Sequence, residues 1–586
     1  MGTPIDANLA DDRRIDDKAP VPWWQAFPDR WERELAAFDA AGATVTRVKR
    51  DLDPTFAGIY LDEVQVSVLW PIDTGDELAL EVVYPPHFPW FPPQVSAPDA
   101  HWLTRHRTPG DMGWLCLAPD PDAWHPRRTA ADLLTAQLPA VITVARGDHD
   151  GVEERPEVEG ARIVLGTAGV MGMVADRERW TPPADVDSGV AELSVGLGYG
   201  NVLVTLLGIG DDAGRDFDRA DPDRDKSATD VWRSAPWLSH SDLRIVPWVR
   251  LSEELTDTSS RAPLKLWTTV CEQLPRLRRP PDRKGEMVLA LIRDEVAPRT
   301  LGWRWLALMR TELRADPVWW ALDEPANPEA LAARIPGFTQ LAKKSIAVIG
   351  VGALGGPIVT GLARLGLGAV TIIDGATVRA ATVCRQVGMP HVGSMKARAV
   401  EAAAREHNPY LRTASHTVDI GIASAEAAAA HESLAGADLV IDAAANSAVS
   451  RWLALGPTPP KAVVNVSATW GAWGGAVVRL PTAGGGCWAC LELSRADTTV
   501  PWPPNADGKP VADGCSAPTY PGAYTDLADL AHQTVRVAVE ELLGRGGVWP
   551  DVSVLSLRDS GGRPTLPVWQ GVPLLIHSDC RRHGTG

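Results

Sequence analysis

Three glycines and an acid carry the first chemical signal in this chain. In KSIAVIGVGALGGPIVTGLARLGLGAVTIID, residues 344–374, Gly350, Gly352 and Gly355 make G-x-G-x-x-G and Asp374 closes the stretch. Glycine turns let a backbone approach phosphates, and a helix beginning there offers unpaired N–H groups and a positive dipole end. A carboxylate about 20 residues further on can accept hydrogen bonds from ribose hydroxyls. These residues point to an adenine nucleotide without saying which one. A second signal is Cys487-Trp-Ala-Cys490, whose spacing suits one face of a tetrahedral zinc site. The other readings of the pair are a redox couple or plain packing.

Those residues need elements to hold them. Ile346 to Ile349 reads as a buried strand, Leu354 to Leu365 as a helix, and Ala369 to Ile373 as a second strand running into Asp374. Ala437 to Ala445 and Val463 to Ser467 read as further strands, and an amphipathic helix begins near Asp526. Toward the other end, Trp31 to Ala41 reads as an amphipathic helix. Phe56 to Val83 alternates as two antiparallel strands about a polar turn at Asp73 to Asp76. The proline-rich run Tyr84 to Pro98 forces an extended crossing, and Ala130 to Val144 reads as a helix. Between these regions Val190 to Leu207 supplies two strands, Asp211 to Asp230 an exposed loop, and Arg261 to Arg279 and Lys284 to Leu313 look helical, with Trp303 and Trp305 in a core and Cys271 packed on a helix. No chemical constellation stands out there. The expected domains are 20–150, 151–325 (a linker or docking domain) and 326–586, the last entered through a helix from Glu329 to Arg334.

Composition narrows the function class. The chain of 586 residues carries 57 basic and 74 acidic side chains, a formal charge of −17, which argues against nucleic-acid or anionic-membrane binding. Seven cysteines in such a length suggest a reducing compartment and not a disulfide scaffold. The first residues, MGTPIDANLADDRRIDD, lack the apolar core of a signal peptide, and no apolar run spans a bilayer. A cytoplasmic protein is expected.

The N-terminal pattern resembles the ubiquitin-conjugating (E2-type) fold over roughly residues 25–150: the meander, the Tyr-Pro-Pro segment ending Pro92-Pro93-Gln94-Val95, Leu115-Cys116-Leu117, Trp124-His125-Pro126 and the helix after it. The resemblance implies that Cys116 carries a ubiquitin-like protein as a thioester; a thiolate is both a good nucleophile and a good leaving group. The His-Pro-Asn tripeptide of the eukaryotic members is absent. The plainer alternative is a core cysteine between two leucines.

The C-terminal pattern resembles the activating (E1-type), ThiF/MoeB-like adenylyltransferases over roughly residues 330–586. Arg385-Gln386 and Gly393-Ser-Met-Lys396 match that family's motifs, while Thr382 stands where Asn is usual and Ala376 where a second acid is usual. Arg385 and Lys396 can neutralise a triphosphate, a task a dehydrogenase does not set, which moves the expected nucleotide from NAD to ATP. The resemblance further implies an acid holding Mg2+ after the strand near residue 440, where Asp442 is the candidate and Ala445 replaces the usual Asp. It implies a thioester-forming cysteine at Cys515. It also implies completion of a Zn2+ site from the tail, where His577-x-x-Cys580-x-x-His583 stands in place of a second C-x-x-C. The ligand set is then Cys487, Cys490, Cys580 and His583, with His577 the competing histidine.

The sequence therefore leads to a multidomain α+β and α/β chain: an E2-like (UBC-like) domain, a central linker or docking domain and a Rossmann-like ThiF/E1 adenylation domain. The combination resembles the E1–E2 fusion proteins of bacterial CBASS-type antiphage operons. That implies a homodimer that activates the C-terminus of a partner protein, a cGAS-like nucleotidyltransferase in that setting, and conjugates it to an amine on a protein or small molecule. The competing functions are sulfur-carrier activation with a non-catalytic N-terminal binding domain, an NAD(P)-dependent oxidoreductase, and an interaction scaffold with a degenerate nucleotide site.

Overall fold

The structure, a computed structural model, describes residues 22–56, 59–72, 75–100, 102–103, 114–115, 117, 124–146, 171–177, 179–198, 201–211, 241–254, 262–278, 286–297, 300–310, 318–325, 331–332, 335–421, 424–455, 459–505, 511–512, 518–519 and 522–583. The chain divides into two compact units, one of Met1–Ala220 with Leu243–Glu324, the other of Asp221–Asp242 with Pro325–Gly586.

The first unit begins with helix α1 (Pro28–Ala40) and an antiparallel meander, β1 (Thr44–Phe56), β2 (Ile59–Pro71), β3 (Glu77–Tyr84) and β4 (Gln94–Ser96), followed by helix α2 (Ala130–Ala145). Alternation builds its core: Val64, Val66, Val68 and Trp70 on β2 and Leu78, Leu80, Val82 and Tyr84 on β3 are buried. Thr129 and Asp132 form a capping box that starts α2. The sequence reading missed β1, because TVTRVKRDLDPTF on a sheet edge has too few apolar residues to alternate visibly.

Glu34 ties these pieces together. Fully buried, it accepts hydrogen bonds from the Tyr84 hydroxyl and the Ala130 N–H, each at 2.9 Å, and pairs with Arg30 at 2.8 Å. Burial pushes its carboxyl above the usual range against those three partners. Replacing Glu34 by Ala leaves the Tyr84 hydroxyl and the Ala130 amide without their partner and takes the counter-charge from Arg30, which should cost about 3–5 kcal/mol. Hydrogen exchange at the amides of α1 and α2 should then quicken at least 100-fold, given about 1.4 kcal/mol per decade; protection unchanged from the native protein would count against this role.

The rest of this unit is a closed barrel, ordered β10-β11-β5-β7-β6-β8-β9, from β5 (Met171–Ala175), β6 (Ser188–Gly198), β7 (Asn201–Gly210), β8 (Ser241–Glu254), β9 (Glu286–Ala297), β10 (Thr300–Arg310) and β11 (Val318–Pro325). Helix α3 (Ala262–Gln273) matches the expectation, and Cys271 is buried on it. The helical reading of 284–313 is corrected: β9 and β10 occupy it as an antiparallel pair. Met287, Leu289, Leu291, Trp305, Ala307 and Met309 share one core, while Val288, Ala290, Ile292, Leu306 and Leu308 pack with α3 residues in another. A strand buried on both faces shows no alternation, so its apolar run cannot be told from a helix. The region expected as a linker or docking domain thus holds a barrel with its own cores. Asp323, fully buried, is closed off by Arg177 at 2.7 Å and Arg304 at 3.2 Å.

The second unit holds an eight-stranded sheet ordered β14-β13-β12-β15-β16-β17-β20-β21. Its parallel part is β12 (Ser345–Ile349), β13 (Ala369–Ile373), β14 (Arg412–His416), β15 (Leu439–Asp442) and β16 (Val463–Ala468); β17 (Gly474–Leu480), β20 (Val552–Arg558) and β21 (Pro564–Val572) continue it antiparallel. A short pair, β18 (Val511–Ala512) with β19 (Pro518–Thr519), stands apart from the sheet. Helices α4 (Gly355–Arg364), α5 (Lys396–His407), α6 (Ala425–Gly436), α7 (Ser447–Leu455), α8 (Trp488–Ala496) and α9 (Tyr524–Leu542) accompany it. Chain order reverses between β12 and β15, so the crevice above their carboxyl ends is where such a sheet binds ligands. Among the described residues no helix is long and apolar enough to cross a membrane.

Candidate nucleotide site and metal centre

The β12 run is buried on both sides, Ile346 and Val348 in one core and Ala347 and Ile349 in another, which fixes where the glycine turn emerges. Gly350 has φ +80° and donates its N–H to Ile373 O at 2.8 Å. A Cβ there would lie 2.6 Å from Ala444 Cα, and one on Gly355 would lie 1.9 Å from Gly350 O. These contacts draw the loop and the end of β15 together, and α4 starts at Gly355 with its N–H groups facing the crevice end of the strands.

Asp374 braces this cradle. Its Oδ2 accepts the Val351 N–H at 2.9 Å and its Oδ1 the Ala376 N–H at 2.8 Å. A carboxylate has about four acceptor positions, so two remain for ribose hydroxyls. Ala376 O accepts the Lys396 N–H at 2.9 Å, and Thr377 bridges Met395. Lys396 thereby begins α5 two residues from the point where Asp374 is tied down. Arg385 ends a short 3-10 turn, Ala380–Arg385, and the Nε2 of the next residue, Gln386, reaches within 3.9 Å of where a Gly352 Cβ would stand. Gln386 Oε1 is buried with no hydrogen-bond partner. An open glycine cradle beside an unsatisfied buried amide oxygen fits a nucleotide. Cys384, beside Arg385, is exposed.

Asp442 departs from its expected part. It is fully buried at the end of β15, with Oδ1 accepting the Ala444 N–H at 3.1 Å and Oδ2 accepting Ser450 Oγ at 2.5 Å and Asn465 Nδ2 at 2.8 Å. Burial raises its pKa. With three hydrogen bonds to its two oxygens and no solvent-facing surface, it locks β15 to β16 and α7. Two residues beyond the Ala443 N–H that caps β12, Ala445 sits at φ +52°, a left-handed conformation costing about 1–3 kcal/mol outside glycine. Sequence reasoning missed Ser450 and Asn465; a lone Asn inside the apolar strand VVNVSA was the available sign.

Cys116 and Cys515 lie outside the described residues. Their neighbours are placed: Leu115 and Leu117 are buried in the N-terminal core, and Val511–Ala512 pairs with Pro518–Thr519.

The metal set comes together as expected. The ligand atoms of Cys487, Cys490, Cys580 and His583 all lie within 4.8 Å of one another. Cys487 Sγ stands 3.7 Å from Cys490 Sγ and 3.6 Å from Cys580 Sγ. Tetrahedral zinc with Zn–S bonds of about 2.3 Å requires sulfurs roughly 3.8 Å apart. Cys487 caps α8, and the tail is fixed beside it by the Gly486 N–H to Leu574 O bond at 3.0 Å. Burial pushes the Cys487 thiol up to about 11, and a bound cation would draw its proton off. The three thiols and one imidazole fit zinc, which would supply structural cross-linking of α8 to the tail. His577 is elsewhere: its Nδ1 accepts the Asp579 N–H at 3.0 Å and its Nε2 meets Asp497 at 2.8 Å. Thr499 hydrogen bonds, with help from His577, hold Asp497 down at about 2.

The chain is similar to several known proteins. Residues 329–513 match the profile of the ThiF family. Over 597 aligned residues the chain is 26% identical to the uncharacterized protein y4oA of Sinorhizobium fredii, covering 95% of this chain and 97% of that one. Over 112 residues it is 32% identical to the SAMP-activating enzyme E1 of Haloferax volcanii, covering 19% of this chain and 40% of the relative. Among solved structures, E. coli MccB with ATP aligns at 13% identity and a TM-score of 0.30, over 42% of this chain and 67% of that one. The C-terminal region carries a ThiF family domain, an E1-like adenylation fold.

Proposed function

We propose that this ThiF domain activates the C-terminal carboxylate of a partner protein with ATP and that the chain then passes the acyl group through two of its own cysteines. The carrying observation is the tether from Asp374 through Ala376 to Lys396, which sets a cation at a helix start beside the glycine cradle. A carboxylate oxygen of the partner attacks the α-phosphorus, the bond to the β-phosphate oxygen breaks, and pyrophosphate leaves. Lys396 and Arg385 offset the charge gathered there. The Cys515 thiolate attacks the acyl carbon and AMP departs. The Cys116 thiolate displaces Cys515 by thioester exchange. An amine nitrogen then takes the acyl group, losing a proton as the Cys116 thiolate is released. The helix, four-strand meander and following helix of the N-terminal core support reading it as E2-like, with the leucines beside Cys116 anchored in that core. A homodimer acting on a cGAS-like partner in antiphage defence is the setting that the E1–E2 resemblance favours.

Incubation with Mg-ATP and a candidate partner, followed by non-reducing electrophoresis, tests the order. Cys515→Ala should abolish thioester on both cysteines, and Cys116→Ala should retain it on Cys515. Thioester on Cys116 in the absence of Cys515 would reverse the order. Transfer that stops at Cys515 in the native chain, with a thiocarboxylate formed when sulfide is supplied, would favour sulfur-carrier activation.

A further inference from the structure

We propose that the zinc centre sets the affinity of the nucleotide site through helix α7, with Ser450, Arg451 and Arg582 as the positioning residues; this rests on the zinc and ATP readings above. α7, Ser447–Leu455, starts just past the end of β15, on the carboxyl edge of the parallel sheet. Asn446 opens it, its Oδ1 accepting the Ala448 N–H at 2.9 Å and its carbonyl the Ser450 N–H at 3.2 Å. The last two turns of the helix reach the elements that carry the metal ligands.

There α7 is held by both pieces that the ion would join. From α8, Glu492 pairs with Arg451 at 2.8 Å and also accepts the Trp488 Nε1–H at 3.1 Å, next to the ligand Cys487. From the tail, Arg582 lies between the ligands Cys580 and His583 and donates to Ala454 O at 2.7 Å. Ala454 itself packs against the core that contains Cys490 and Cys580. With the ion bound, α8 and the tail form one body and hold α7 together. With the ion removed, each tie is a solvent-screened contact from a separate piece, and contacts of that kind are weak singly.

The other face of α7 meets the glycine turn by two routes. Ser450, beside Arg451, donates Oγ to Asp442 Oδ2 at 2.5 Å, and Oδ1 of that carboxylate accepts the Ala444 N–H at 3.1 Å. Ala444 Cα and Ala443 O lie 2.6 and 2.8 Å from where a Gly350 Cβ would stand, and Ala443 Cβ lies 3.3 Å from where one on Gly355 would stand. By the second route, Leu453 and Val449 pack in one core with Ile349, the residue before Gly350. A close-packed interior transmits a shift of α7 along both routes to the same turn. Contiguous contacts can carry coupling of this kind, and coupled sites typically change each other's affinity by about 5–150-fold.

The test measures zinc affinity by competition with a chelator, with and without a saturating non-hydrolysable ATP analogue, and with Mg2+ in excess so that the nucleotide does not itself draw the zinc. In the native protein the analogue should tighten zinc about tenfold, and zinc should tighten the analogue by the same factor, since linkage is reciprocal. Arg451→Ala combined with Arg582→Ala should leave both ligands binding and reduce that factor to under about threefold. Arg451→Glu should lower the factor as well, and adding Glu492→Arg should restore it, a recovery that a folding defect would not give. A factor of one in native protein that binds both ligands, or an undiminished factor in the double variant, would overturn the coupling and leave the two sites standing. Native protein that takes up no zinc, or that binds no nucleotide, would overturn the zinc or the ATP reading and the coupling with it.

Discussion

Gly355→Ala should abolish nucleotide binding, with ATP affinity falling at least 100-fold and the ThiF domain losing about 3 kcal/mol of stability. A single methyl group decides this. Its Cβ would stand 1.9 Å from Gly350 O and 3.0 Å from Gly350 C, and no side-chain rotation relieves a clash with backbone. Ala443 Cβ, at 3.3 Å, closes the retreat on the other side. The Gly350 turn must then move away from α4, which opens its N–H bond to Ile373 and shifts the Val351 N–H that Asp374 holds. Overpacking of ordinary cores costs about 1–3 kcal/mol, and this position has less room than most. Gly352→Ala is the internal control: its Cβ meets only Gln386 Nε2, at 3.9 Å, an ordinary contact. That variant should fold normally and weaken ATP binding only as far as the methyl obstructs the phosphates. Calorimetric titration with ATP and thermal unfolding separate the two. Native affinity in Gly355→Ala would mean that the loop is not the cradle.

How far the sequence could be read follows from where each residue's partners lie along the chain. The glycine turn, its strands and Asp374 were legible because the βαβ unit is local and its period switches within 31 residues. The same holds for α2, whose capping box spans four residues. The barrel strands β9 and β10 were not legible, since what makes them strands is a core on each face, one shared with β5 to β8 and one with α3. Asp442 reads as a metal acid because it ends a strand; the hydrogen bonds it accepts come from Ser450 of α7 and Asn465 of β16, which only the fold brings to it. The choice between His577 and His583 was closed to spacing altogether. Each stands three residues from Cys580, and the decision is made by Asp497, 80 residues upstream of His577.

That decision gives the second large effect. Purified under reducing conditions, the chain should carry one zinc ion, and its removal by chelator should lower the melting temperature of the ThiF domain by many degrees. The reason lies in what the ligands connect. Cys490 and Cys580 are buried in one core with Trp488, Leu491, Val552, Val554 and Leu574, so the ion would rivet α8 and the tail onto the antiparallel half of the sheet. Structural zinc contributes apparent binding energies of about 10–16 kcal/mol in small domains at neutral pH. Even a third of that exceeds what most single substitutions cost. Cys580→Ser should reproduce the chelated state, because it removes a ligand from the centre of the set and leaves a hydroxyl in a buried site. His583→Ala should keep a three-thiolate remnant with metal affinity lowered at least tenfold. His577→Ala should retain the full metal content and lose only the solvent-screened pair with Asp497. Elemental analysis alongside thermal unfolding distinguishes these cases. If instead His577→Ala releases the metal and His583→Ala does not, the tail is held in the opposite register. If no variant changes the metal content from zero, the three sulfurs at 3.6–3.7 Å are a packed thiol cluster; mild oxidation should then join Cys487 to one of its neighbours.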